Sequence, residues 1–416
     1  MAFRFARLNS ARGLFFITVA LHLAYVFIIF DEELFNHWLP EQYDFRALAL
    51  ISGEQFSNPT AWGSYHILLV PIYKFLQLTG LLNDRLFILT IINSLLAGAA
   101  TALIYGISQQ LFGNKKISVI SALLLAVYYP YLYFNALNLS ENFIIPLVLG
   151  VFFLTIIKLK QRLIFSAIVT GLLFGLSLLA RPIIIPFILF FLIWIIWHLK
   201  GGRLSVGKYL INFIWPLLLV VMASLLINHS FDAQGRYSLA DSGGVNAAIA
   251  WCQPRKISYE TLQGEAFWFS SPIFQSKDAS TDIKSEIPFY NQGHYYQMAF
   301  NCLKENPIRI ITNIKHPVNI YHSIFYPNYF SSAWHLILIN IWKALTIPLF
   351  FGFILYPLLD KQNRQFWALG GLLLSSLIIM VYLGNPGEER YLIPYYFVLI
   401  LWGIPGLIRL FSTFRK

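Results

Sequence analysis

The sequence predicts an all-α polytopic membrane protein, and three observations carry that prediction. Of the 416 residues, 57% are hydrophobic and only 12% are charged, a balance outside the range of soluble domains of this size. Long apolar runs recur from residue 14 to residue 410, each near the roughly 20 residues that cross about 30 Å of hydrocarbon as a helix. The runs are continuously apolar rather than alternating, which excludes a β-barrel, because lipid requires each segment to satisfy its own backbone groups.

Ten spanning helices are expected, at 13–30, 86–112, 117–134, 142–157, 163–179, 183–199, 209–228, 333–357, 366–383 and 392–410. The first could pass for a secretory signal, but Asp31-Glu32-Glu33 stands where a small-residue cleavage site belongs, so it reads as a retained helix. With the N-terminus inside, the short connections carry Arg4, Arg7 and Arg12, then Lys115 and Lys116, then Lys158, Lys160 and Arg162. Lys200, Arg203 and Lys208, then Lys361 and Arg364, and finally Arg409, Arg415 and Lys416 continue the series, with Asp360 its one acid. This is the positive-inside pattern, with both termini cytoplasmic. The formal charge of +11 is spread over these clusters, so it sets topology and gives no reason to expect nucleic acid.

Two connections are long, and both fall outside. Residues 31–84 hold seven acids, Asp31, Glu32, Glu33, Glu41, Asp44, Glu54 and Asp84, against Arg46, Lys74 and His66, with Arg85 at the edge. Within them Tyr43 to Ile51 is amphipathic, and Tyr65 to Leu82 is apolar but interrupted by Pro71 and Lys74; both are expected to lie along the interface. Residues 229–332 are balanced in charge and rich in aromatic residues, as in Phe267-Trp268-Phe269, too hydrophobic for disorder. The chain thus divides into 1–228, an external loop domain 229–332 of mixed structure, and C-terminal helices 333–416. Both cysteines, Cys252 and Cys302, fall in that loop, where they form either a disulfide or two separate thiols.

Ionisable groups next to apolar helices are costly to desolvate and mark candidate sites. Asp44, Glu141 in Asn138-Leu139-Ser140-Glu141, Arg181 in Ala180-Arg181-Pro182, and Glu388-Glu389-Arg390 all fall at the external level. Each has a plainer reading. Asp44 could be a solvated loop acid, Glu141 a helix-starting carboxylate, Arg181 a snorkelling side chain, and Glu389 with Arg390 a structural ion pair. No glycine-rich phosphate loop, His-Glu-x-x-His or Gly-x-Ser-x-Gly motif is present, which disfavours nucleotide substrates.

The order of an external Asp before an Ala/Leu-rich stretch (Asp44 to Gly53), then Ser140-Glu141, Ala-Arg-Pro and a terminal Glu-Arg-Tyr-Leu-Ile-Pro resembles the polyprenyl-phosphate-dependent glycosyltransferases of the GT-C superfamily. The nearest branch is that of protein O-mannosyltransferases and lipid A aminoarabinose transferases. The resemblance implies a GT-C bundle in the plasma (inner) membrane that takes a sugar from a polyprenyl phosphate to a protein, lipid or glycan acceptor on the external face. It places the reaction centre on Asp44, with Glu141 a second carboxylate. Donor phosphate or sugar would meet Arg181, Arg390, Glu388, Glu389, His66 and Lys74. The aminoarabinose-transferring relatives have Lys-Pro where this chain reads Gly63-Ser64-Tyr65-His66, so His66 or Lys74 would have to substitute. Two adjacent acids found in some members are absent at Tyr43-Asp44-Phe45, and a divalent metal is left open. The rival class is a transporter or flippase of lipid-linked sugars, which calls for mid-helix charges and internal repeats; neither is evident.

Overall fold

The computed structural model describes residues 2–29, 43–56, 63–137, 139–157, 159, 161–199, 203–233, 235–240, 243–252, 257–260, 266–269, 283–285, 291–308, 333–361, 363–384 and 394–414. Helices occupy all ten expected stretches: α1 (Ala2–Ile29), α4 (Arg85–Phe112), α5 and α6 (Lys115–Ala126 and Tyr129–Ala136), α7 (Glu141–Ile157), α8 (Leu163–Ala180), α9 (Ile185–His198), α10 (Arg203–Phe231), α13 (Ala333–Leu359), α14 (Arg364–Gly384) and α15 (Phe397–Phe414). Among the described residues, five spans are long and apolar enough to cross a membrane, within α1, α4, α8, α10 and α13, and six if α5 and α6 count as one broken span. Three further apolar helices, around α7, α9 and α15, are shorter. The chain is a multi-pass membrane protein.

The one expected helix at 117–134 is two, bent by 44°. Pro130 near the start of α6 supplies no N–H and restricts the residue before it, so α5 stops at Ala126. Its freed Ala126 carbonyl accepts from His22 Nε2 of α1 at 3.1 Å. Elsewhere the stops are ordinary: Gly113, in the left-handed region at φ 64°, ends α4, and the Asn114 side chain then caps α5 by accepting from Lys116 N and Ile117 N.

With lipid as solvent, helices associate through close backbone approach at small residues. A methyl group on Gly171 of α8 would run into the Phe213 carbonyl of α10, and one on Gly175 into Val220. Gly352 of α13 faces Gly403 and Gly406 of α15 in the same way. Aromatic rings fill the interior. Phe174 meets Phe187, Phe191 and Phe213 edge-on at 5.7, 5.1 and 5.8 Å, which joins α8, α9 and α10.

The first long connection folds into two helices that pack on each other, α2 (Tyr43–Ser52) and α3 (Tyr65–Thr79), where the amphipathic and apolar stretches were expected. Of residues 229–332, the described part holds α11 (Gly243–Trp251), α12 (Gln292–Glu305) and a three-stranded sheet. In the sheet β1 (Ile257–Glu260) lies between antiparallel β2 (Ala266–Phe269) and parallel β3 (Ile283–Ser285). Cys252 and Cys302 are bonded across α11 and α12, with Cα atoms 5.0 Å apart. They sit in a small core of their own with Ala248, Tyr295 and Ala299, and α11 also packs on α14.

Candidate functional site

Asp44 enters in the first turn of α2, where a carboxylate complements the positive end of the helix dipole. It is 6% exposed and meets two groups from other elements. Tyr73, on the buried face of α3, donates its hydroxyl to Asp44 Oδ1 at 2.5 Å. Arg85, the first residue of α4, closes a fork, with Nε 2.8 Å from Oδ1 and Nη2 2.8 Å from Oδ2. Burial and the adjacent Asp44 carboxylate hold the Tyr73 phenol well above its usual range, so it stays a donor. Oδ1 therefore has both lone-pair directions filled, while Oδ2 retains one for a further donor. Arg85 keeps 22% of its side chain exposed.

Glu141 opens α7 and Arg181 closes α8. Both are almost fully buried, and Arg181 Nη2 donates to Glu141 Oε1 at 3.1 Å. Ser140 Oγ lies 3.3 Å from Glu141 Oε2. Buried Tyr395 stands within electrostatic reach of both charges. A pair this dry owes its place to mutual satisfaction, since either member alone would be a costly buried charge.

His66 lies fully buried near the start of α3. Asn228, near the end of α10, gives its Nδ2 hydrogens to Ser64 Oγ at 2.8 Å and to the Ser238 carbonyl at 2.6 Å. Its Oδ1 must then accept from His66 Nε2, 2.9 Å away, which fixes the tautomer and leaves Nδ1 as a bare lone pair. Burial foremost, and then the positive charge of Arg46, lower the His66 pKa to about 3 against the opposing Asn228 hydrogen bond. The ring is thus a neutral acceptor and not the cation that a phosphate contact would want. Arg46 is itself buried, with its guanidinium 4.6 Å above the Phe56 ring.

These groups are neighbours. Tyr65 packs edge-on against Tyr43, beside Asp44, at 5.2 Å, and against Phe143, two residues beyond Glu141, also at 5.2 Å. Gly63 abuts the Ala180 carbonyl and Pro182 so closely that a Cβ would lie 2.9 Å from that oxygen. This brings the start of α3 onto the Ala-Arg-Pro turn. Asp44, Glu141, Arg181 and His66 therefore share one end of the bundle. Lys74 does not join them: it is exposed on α3 and donates to Gln77 Oε1 at 3.0 Å. Glu388, Glu389 and Arg390 lie outside the described residues. Tyr73, Arg85 and Asn228 were not singled out from the sequence as site residues. Among the described residues no three His, Cys, Asp or Glu side chains gather as a metal site. With Asp44 held by Arg85 and Tyr73 and Glu141 by Arg181, these side chains do not fit a metal, and no step is assigned to one.

No curated protein matches the chain. Residues 71–228, from within α3 to the end of α10 and well under half of the chain, match the family described as dolichyl-phosphate-mannose-protein mannosyltransferase, a family of the GT-C superfamily.

Proposed function

We propose that this protein is a membrane glycosyltransferase of the GT-C type, which moves a sugar from a polyprenyl phosphate to an acceptor hydroxyl on the external face of the plasma (inner) membrane. The observation that carries the proposal is the meeting of two carboxylate–arginine pairs, Asp44–Arg85 and Glu141–Arg181, at one end of the helical bundle. The similarity of residues 71–228 to a mannosyltransferase family supports it. The basic short connections support an external position for that end. A lipid-borne donor suits the side of the membrane that nucleotide sugars do not reach.

The reaction is a single displacement. The acceptor oxygen attacks the anomeric carbon from the face opposite the phosphate, the carbon–oxygen bond to phosphate breaks, and its electron pair leaves with polyprenyl phosphate. The configuration inverts. The hydroxyl proton passes to a carboxylate, and Asp44 Oδ2, with its remaining lone-pair direction, is the acceptor assigned here. Arg85, partly exposed beside it, is the donor offered to phosphate as charge develops there, and Arg181 holds Glu141 in place. His66 Nδ1, a neutral acceptor, suits a sugar or acceptor hydroxyl. On this reading the lipid tail is held between helices, and the loop domain takes part in selecting the acceptor.

The test is incubation of the purified protein with a panel of radiolabelled polyprenyl-phosphate sugars and candidate acceptors, beside the same protein in sealed vesicles. Covalent transfer with inversion at the anomeric carbon is the expected result. Movement of the intact lipid-linked sugar across the vesicle wall without transfer would replace the proposal by a flippase.

A further inference from the structure

A second built feature lies at the far end of the bundle, near the end of α9 opposite Arg181. Residues 181 and 197 are separated by the short 3₁₀ turn Pro182–Ile184 and nearly all of α9, roughly 24 Å at about 1.5 Å per residue. There α13 carries Pro357, which supplies no N–H to the Phe353 carbonyl. The Trp367 indole of α14 takes the missing donor's place, with Nε1 2.9 Å from the Phe353 oxygen. Arg364, at the start of α14, donates through Nε to the Pro357 carbonyl at 2.6 Å, one of the last-turn oxygens that a helix leaves unserved. The proline thus fixes two side chains of α14 in place, and the Nη end of Arg364 remains available.

Trp197 of α9 completes a cavity of about 410 Å³ against this corner, lined also by Leu358, Arg364, Gln365 and Trp367. Trp197 and Leu358 are 54% and 71% exposed, so the cavity opens at the bundle surface. Lys361 is exposed beside it, while neighbouring Asp360 is occupied by Arg409 and Tyr356. The local field is therefore positive, at the end that the charge pattern assigns to the cytoplasmic leaflet. Indole walls with one guanidinium at the membrane boundary suit a ligand that is half apolar and carries a phosphodiester.

We propose that this corner binds one anionic phospholipid, with its phosphodiester on Arg364 and its glycerol and first acyl carbons against Trp197, Leu358 and Trp367. The proposal rests on the membrane-spanning reading and not on sugar transfer. Native mass spectrometry of the purified protein in neutral detergent, titrated with phosphatidylglycerol, phosphatidylcholine or inorganic phosphate, tests it. The wild type should retain one phosphatidylglycerol at concentrations where phosphatidylcholine is lost. Arg364→Gln and Trp197→Ala should each lower that retention at least fivefold, and Lys115→Gln, in another basic connection, should leave it unchanged. Trp197→Ala removes a surface wall and none of the hydrogen bonds that hold the corner, so it serves even if Arg364→Gln misfolds. Equal retention of the two lipids, or undiminished retention in Trp197→Ala, would overturn the proposal. Displacement of phosphatidylglycerol by millimolar inorganic phosphate would also overturn it, and would make the corner a site for soluble anions.

Discussion

Asp44, Glu141 and Arg181 were legible because a charge at the mouth of an apolar helix is expensive and therefore conspicuous. Their partners were less so. Arg85 left one trace, a basic residue at the end of a long apolar helix away from the basic connections. Tyr73 is one of 23 tyrosines, and nothing short of the α2–α3 packing marks it. Asn228 is invisible for the same reason, since its role is set by a ring 162 positions away in sequence. In a transfer assay Arg85→Lys should lower turnover while leaving the protein folded, because an ammonium cannot reproduce the fork on Asp44; wild-type turnover in that variant would contradict the role given to Arg85. His66 gives a prediction about pH. Its ring titrates near 6.5 when unfolded and near 3 in the fold, so the unfolded chain takes the proton first. The stability it contributes is full above about pH 6.5 and is lost as pH falls toward 3. Thermal midpoints in detergent should therefore decline over that interval more steeply for wild type than for His66→Gln, and equal slopes would count against the buried neutral ring.

At the scale of elements, apolar run length located the long helices of the bundle and α3, and amphipathicity located α2. Run length could not show the break between α5 and α6, because Tyr128-Tyr129-Pro130-Tyr131 is as apolar as a helix interior. The bend needed Pro130 to be read as a stop. Nor does hydrophobicity say which helices touch, since every face is apolar in lipid. Small residues do say so: Gly171 and Gly175 lie one turn apart on α8 and set its approach to α10. Gly171→Val should force the two backbones apart and destabilise the protein by about 1–3 kcal/mol, measurable as a lower thermal midpoint in detergent. Gly13→Val, at a position with open space around its Cβ, should have a much smaller effect.

Over the whole molecule, charge alternation gave a sidedness that groups scattered motifs, and the packing of Tyr65 and Gly63 gave them a common location. The loop domain was the least legible part. Its two cysteines left a bridge and free thiols equally open, and only the packing of α11 on α12 brings them together. Closing a loop of 50 residues is worth about 4 kcal/mol in the chain-entropy account. Reduction should thus expose α11 and α12 to protease or hydrogen exchange while the helical bundle keeps its midpoint; simultaneous loss of both would show that the loop and bundle fold as one unit. Participation of Asp44 in sugar transfer is read from the single-turnover rate with a bound polyprenyl-phosphate sugar, compared between wild type and Asp44→Asn. Loss of the proton-accepting carboxylate should lower that rate about 10²- to 10⁴-fold, with donor binding and thermal midpoint near wild type. An unchanged transfer rate in Asp44→Asn would contradict that role.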